Sequence, residues 1–189
     1  MPSHADAWRQ VIEQPLAYLH PARLSVPRDL DTPHLRTALG PVLVEALGLA
    51  PGQGQWACQP ECRWWVQHWR CLPSAAHWVA AYLLWPQLAW GAALQGLSPA
   101  QRRFATFALG ARAPSGIAPA VPLPLRLEAT GLRCLQGAAG GLPVALRQRL
   151  PLQFSPAAEA LALTLPALPA DFRLLVQAVN YARFSQNAG

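Results

Sequence analysis

Five residues in one stretch have side chains suited to metal chemistry: Cys58, Cys62, His68, Cys71 and His77. Thiolates and imidazoles are the ligands of structural zinc, which they normally hold as two tight doublets. Here the first doublet is a loose C-x3-C, and the remainder is Cys71 with His68 three residues before it. On a helix over 60–71, Cys62 and His68 fall on different faces. Free cysteine also behaves as a small buried apolar side chain. Core thiols are therefore expected, with no stoichiometric metal and no cofactor.

Other chemistry has less to build on. Cys134 with one of the five histidines has the types of a nucleophilic pair, but its LRCLQ setting reads as the apolar face of a helix. The nine carboxylates are spread singly. No phosphate-binding glycine loop, H-E-x-x-H or G-x-S-x-G pattern occurs. Tyr18 and His20 stand in a proline-broken arm, where an aromatic with a polar tip serves to tether the arm to a core. No enzyme is expected.

The arginines are the remaining candidates. All fifteen basic residues are arginine, and the formal net charge is +6. They are scattered singly, apart from Arg102–Arg103 and Arg147/Arg149. A nucleic-acid interface needs a basic stripe or interleaved stacking aromatics, and neither is present. Guanidinium forks also pair with carboxylates. Arg102, Arg103, Arg147 and Arg149 are accordingly the candidate residues for contacting an acidic protein partner.

What must position them is a core organised on 56–90, which holds seven of the eight tryptophans and three of the four cysteines. Aromatic side chains bury the most area and dominate core energetics. Trp64, Trp65, Trp69, Trp78 and Trp85 are expected mostly in the core, with one or two tryptophans left for an interface. Ala75–Leu94 carries no Asp, Glu, Lys or Arg and has the length of a membrane span. His77, Pro86 and Gln87 interrupt it, and its tryptophans are not confined to interfacial belts. A buried helix is the expectation, with no membrane insertion. The first residues lack a secretory signal, and unevenly spaced cysteines suit a reducing cytoplasm.

Along the chain, a short helix around Trp8, Val11 and Ile12 ends before Pro15. Thr32 and Pro33 start a helix over 32–49, with a kink or break expected at Gly40–Pro41. One helix is expected from Pro60 through Arg70, and a second from near Ala75 that bends or stops at Pro86. Ser98–Pro99 with Gln101 forms a capping box opening a helix to near Gly110. Residues 111–124, with four prolines, read as a linker. A short helix is expected over 143–150. In 123–130 the alternation of Leu123, Leu125, Leu127 and Ala129 argues for strand, while Leu125, Leu132 and Leu135 also suit a helix. In 157–165 alternating leucines argue for strand, and alanine content and the Ser155–Pro156 start argue for helix, which is favoured there. A terminal helix runs from Pro169 to about Ser185, with Asp171 in its first turn.

The expected fold class is thus mainly α: one domain over 1–189 of seven to ten short helices, with at most a minor β-hairpin in 123–165. A two-lobe variant divides at the linker into 1–110 and 125–189.

Two stretches carry a family resemblance. PLAYLHPARL (15–24) resembles the opening of the SctK proteins of type III secretion systems, the YscK and PscK group. GLRCLQGAAGGLPVALRQRLPL (131–152) is similar to that family's leucine-rich helix, loop and basic segment ending in RLPL. Order, spacing and total length agree, while the tryptophan-rich middle matches in character only. The resemblance implies a non-enzymatic adaptor of the injectisome sorting platform, at the cytoplasmic face of the inner membrane. It implies two protein partners, the inner-membrane ring protein SctD and the pod protein SctQ, with no nucleic acid and no small-molecule substrate. The rival expectation is a small zinc-stabilised or nucleic-acid-binding module using 56–90.

Overall fold

In the computed structural model the residues described are 3–27, 29, 32–53, 59–90, 92–107, 120–168 and 171–187. Among them there are nine α-helices and no strand. Packing divides the chain into two units, one of residues 1–70 with 140–156, the other of 71–139 with 157–189.

The first unit is assembled on α1 (His4–Glu13), which packs with α2 (Pro33–Ala46), α3 (Pro60–Gln67) and α7 (Val144–Arg149). Ser3 and Asp6 close a reciprocal capping box at the start of α1, and Trp8, Val11 and Ile12 form its buried face. A 3-10 turn at Pro15–Ala17 then leads into the arm. Tyr18 anchors that arm: its hydroxyl donates to the Val11 carbonyl at 2.8 Å, and its ring meets Trp69 edge-on at 5.5 Å. Arg23 donates to the carbonyls of Phe154 and Pro151, so the arm is also fixed to the segment after α7.

Thr32 caps α2, and the helix runs unbroken through Gly40–Pro41. Of the kink or break expected there, the break does not occur. Gly40 is instead the contact with α1, since a Cβ there would overlap the Glu13 carbonyl. The last residues of α2 lead to Gly48, whose φ of +59° is the left-handed turn that ends many helices.

The second unit is built around α4 (Leu72–Leu88), which contacts α5 (Pro99–Ala105), α6 (Leu123–Ala138) and α9 (Phe172–Asn187). α4 is buried nearly all round, from Leu72 through Leu84, as a helix without charge and apolar on every face must be. It begins three residues before Ala75 because Pro73 fits its first turn, where no intrahelical N–H bond is lost. Pro86 lies near its end, and the helix stops two residues later. Among the described residues no helix is long and apolar enough to cross a membrane.

Small side chains let the helices of this unit approach closely. A Cβ on Gly131 of α6 would strike the carbonyl of Ala76 on α4. The segment 123–130 is helical, and its buried set, including Arg126, Leu127, Ala129 and Thr130, has helical and not alternating spacing. The segment 156–164 is also a helix, α8 (Pro156–Thr164). The minor hairpin allowed for within 123–165 is not present among the described residues: burial all along one helical face outweighs the leucine alternation. α5 carries the expected capping box, with Ser98 and Gln101 bonding each other's backbone N–H groups. It ends at Ala105; the expected end near Gly110 lies outside the described residues, as does 111–119 of the linker. α9 begins at Phe172, and the Asp171 carboxylate caps it by accepting from the N–H groups of Arg173 and Leu174.

Candidate partner-binding surfaces

The four arginines singled out from sequence occupy different settings. Arg102 and Arg103 lie in the last turn of α5, in the second unit. Arg102 is half-buried and its Nε donates to the Leu97 carbonyl at 3.0 Å. Arg103 is exposed, and its guanidinium has no partner among the described residues. In the first unit Arg147 is exposed on α7, beside Val144, which is also exposed.

Arg149 is turned inward and has no exposed surface, 0%. Its guanidinium donates to the Ile12 carbonyl from Nε at 3.1 Å and Nη2 at 2.8 Å, and from Nη1 to Ala50 and Ala145, each at 2.9 Å. The Ile12 carbonyl is one of the orphans at the end of α1, where a cation is favoured by the helix dipole. Arg149 therefore ties α1, α7 and the segment after α2 together, and the surface candidates are Arg102, Arg103 and Arg147. The sequence carried a signal for this. Residues two apart on a helix do not share a face, so Arg147 and Arg149 cannot both present to one partner.

Next to Arg103 in the chain, Phe104 is the centre of an aromatic group. Phe104 is fully buried and meets Trp78, Tyr82, Phe107 and Tyr181, with ring centroids 5.1 to 6.5 Å apart. Phe107 and Tyr181 also touch each other at 5.8 Å. Phe107 reaches the surface at 38% exposure and Tyr181 is half-buried. An aromatic held on two sides by other rings loses little freedom on binding, and such residues dominate interface energetics when a partner covers them.

The tryptophans separate in the same way. Trp8, Trp65, Trp69 and Trp78 are buried, Trp64 and Trp85 are half-buried, and Trp90, just after α4, is 80% exposed. Trp56 lies outside the described residues. Among the described residues, the exposed large apolar side chains of the second unit are Trp90, Phe107, Leu163, Phe172 and Phe184, four of them aromatic, and those of the first unit are Leu24, Val42, Leu47 and Val144. The second unit holds seven arginines against three carboxylates, the first eight against six.

The cysteine and histidine chemistry is muted by burial. Cys62, Cys71 and Cys134 carry thiols. Burial pushes Cys62 above the ordinary thiol range, with the Glu61 carboxylate adding to it. It also raises Cys71, against the opposing pull of Arg183. Burial, helped by Asp171, pushes Cys134 up to about 12. A thiol held protonated is neither nucleophile nor metal ligand. His68 is buried, with Nδ1 2.8 Å from the Trp64 carbonyl and its ring against that tryptophan at 4.8 Å. Burial lowers His77, and Glu128 opposes the shift. Among the described residues no three His, Cys, Asp or Glu side chains gather as a metal site; Cys58 lies outside them.

Residues 8–184 match the family described as bacterial type III secretion apparatus protein (OrgA_MxiK). Comparison with curated proteins and with solved structures gives no match. The matched span takes in both units, from the buried Trp8 of α1 to the exposed Phe184 of α9. The chain belongs to the SctK/MxiK/OrgA family of bacterial type III secretion apparatus proteins.

Proposed function

We propose that this protein is a non-catalytic adaptor of the type III secretion sorting platform, joining an SctD-like inner-membrane ring protein to an SctQ-like pod protein. In this reading it works at the cytoplasmic face of the inner membrane and is held there by its partners. The observation that carries it, within the family assignment, is the aromatic contact of Phe107 and Tyr181 near Arg103, whose guanidinium has no partner among the described residues. A preformed aromatic and arginine patch suits a protein–protein contact with an acidic partner. An adaptor needs a second surface, and the differing exposed chemistry of the two units supports that need. Affinity purification of the tagged chain from its native cell tests the reading. Co-purification of both an SctD-like and an SctQ-like protein is expected; recovery of neither, with nucleic acid or a small molecule in their place, would refute it.

A further inference from the structure

In the first unit, the end of α1, the second half of α2 and the segment 48–52 enclose a groove of about 470 Å³. Ile12, Val44, Leu49 and Pro51 give it apolar walls, and Glu13 and Glu45 stand on it as exposed carboxylates. Neither carboxylate has an ion pair or side-chain hydrogen bond among the described residues, although the chain carries a net charge of +6. Among the described residues that line the groove the one cation is Arg149, which is enclosed and gives its N–H groups to backbone carbonyls. The mouth of the groove is therefore acidic.

α2 adds a second observation. Of its fourteen residues only Gly40 is buried. Val42 is 57% exposed, and Leu47, just past the helix, is 45% exposed. Val42 and Leu47 stand outside the groove, but the α2 residues that do line it, Pro41, Val44 and Glu45, are also left unburied.

We infer that this groove docks a segment of a partner protein carrying an aliphatic side chain next to an arginine or lysine. The aliphatic group fills the slot between Ile12, Val44 and Leu49, and the cation sits between Glu13 and Glu45. Charge complementarity selects this occupant: an acidic segment would meet two carboxylates and, among the described lining residues, no accessible cation. The inference deepens the adaptor reading by assigning its second surface, one that takes a basic segment where the Arg103 surface takes an acidic one.

Two fluorescent probes test it on the full chain: a short amphipathic peptide with leucines along one face and arginines beside them, and the same peptide with glutamate for each arginine. The basic probe is expected to bind saturably, more weakly as salt is raised. The Glu13→Gln/Glu45→Gln variant, changed only at exposed positions, is expected to weaken it about fivefold, in line with two rim charges. Equal binding of both probes, no binding of the basic one, or an unchanged affinity in the double variant overturns the inference. So does a dimer of the chain that the double variant abolishes, which would make a second copy the occupant. Co-purification separates the two readings. If SctD-like and SctQ-like proteins still come down while the basic probe does not bind, the groove fails and the adaptor stands. If the probe binds as expected and neither protein co-purifies, the adaptor reading fails and the groove stands.

Discussion

Arg149 donates two hydrogen bonds to the carbonyl oxygen of Ile12, across 137 residues of sequence. The pair closes the C-terminal end of α1 with a cation from α7, and the carbonyls of Ala50 and Ala145 also accept from it. Breaking a buried, fully bonded charge is among the costlier single changes. Arg149→Leu is expected to lower unfolding free energy by about 3 kcal/mol, through the carbonyls of Ile12 and Ala50 left unpaired. Arg149→Lys recovers part of it, because an ammonium cannot span the same carbonyls as a planar fork. Urea titration of the three proteins measures the order.

Gly131 gives a test in which two effects oppose each other. Helix propensity alone favours Gly131→Ala by roughly 1 kcal/mol. The added Cβ meets the Ala76 carbonyl and Cβ of α4, where backbone has to move. Overpacking costs about 1–3 kcal/mol and is expected to win. A lower melting temperature for the variant checks it; a higher one would show that α4 and α6 do not approach this closely.

Two groups, the half-buried His77 and the buried Cys134, contribute to the pH response of the second unit. Burial lowers His77 below its ordinary value, so folding favours its neutral form. Its contribution is present above about pH 6.5 and is lost as pH falls through the depressed value. Cys134 is shifted upward, to about 12, so its contribution is complete below the ordinary thiol pKa and is lost as pH rises towards the folded value. Unfolding free energy measured across pH should therefore fall on both flanks. His77→Gln should flatten the acid flank alone, and Cys134→Ala the alkaline flank alone.

Trp90 is the tryptophan most open to solvent among those described, at 80% against 2% for Trp65 and Trp69. Acrylamide should quench a small accessible fraction of the emission, and Trp90→Phe should remove much of that fraction. Uniform quenching of every tryptophan would contradict the buried assignment of Trp8, Trp65, Trp69 and Trp78.

The parts of the fold governed by local chemistry were legible from the letters. Ser98, Pro99 and Gln101 form the capping box that their types require, and the uncharged run after Pro73 becomes the buried helix at the centre of the second unit. What escaped was decided by long-range partners. Gly40 is read locally as a breaker, yet its missing side chain is what lets α2 pass the Glu13 carbonyl. Arg149 resembles Arg147 by type, and only the carbonyls of Ile12 and Ala50 turn it inward. The leucine alternation at 123–129 is compatible with both periods until α4 supplies a helical face to cover. For the surfaces, the arginines of α5 were visible, but the exposure of Phe107 beside Tyr181 depends on α9 packing against α4, which no local pattern encodes.

The central claim is that one chain holds two different proteins at once, and reconstitution tests it most directly. The purified chain is mixed with an SctQ-like protein and the cytoplasmic domain of an SctD-like protein, and complex mass is measured by sedimentation. The account predicts a single complex containing all three, and an Arg103→Glu/Phe107→Ala variant that loses one partner while retaining the other. Competition of the two proteins for the chain, or loss of both in that variant, would contradict it.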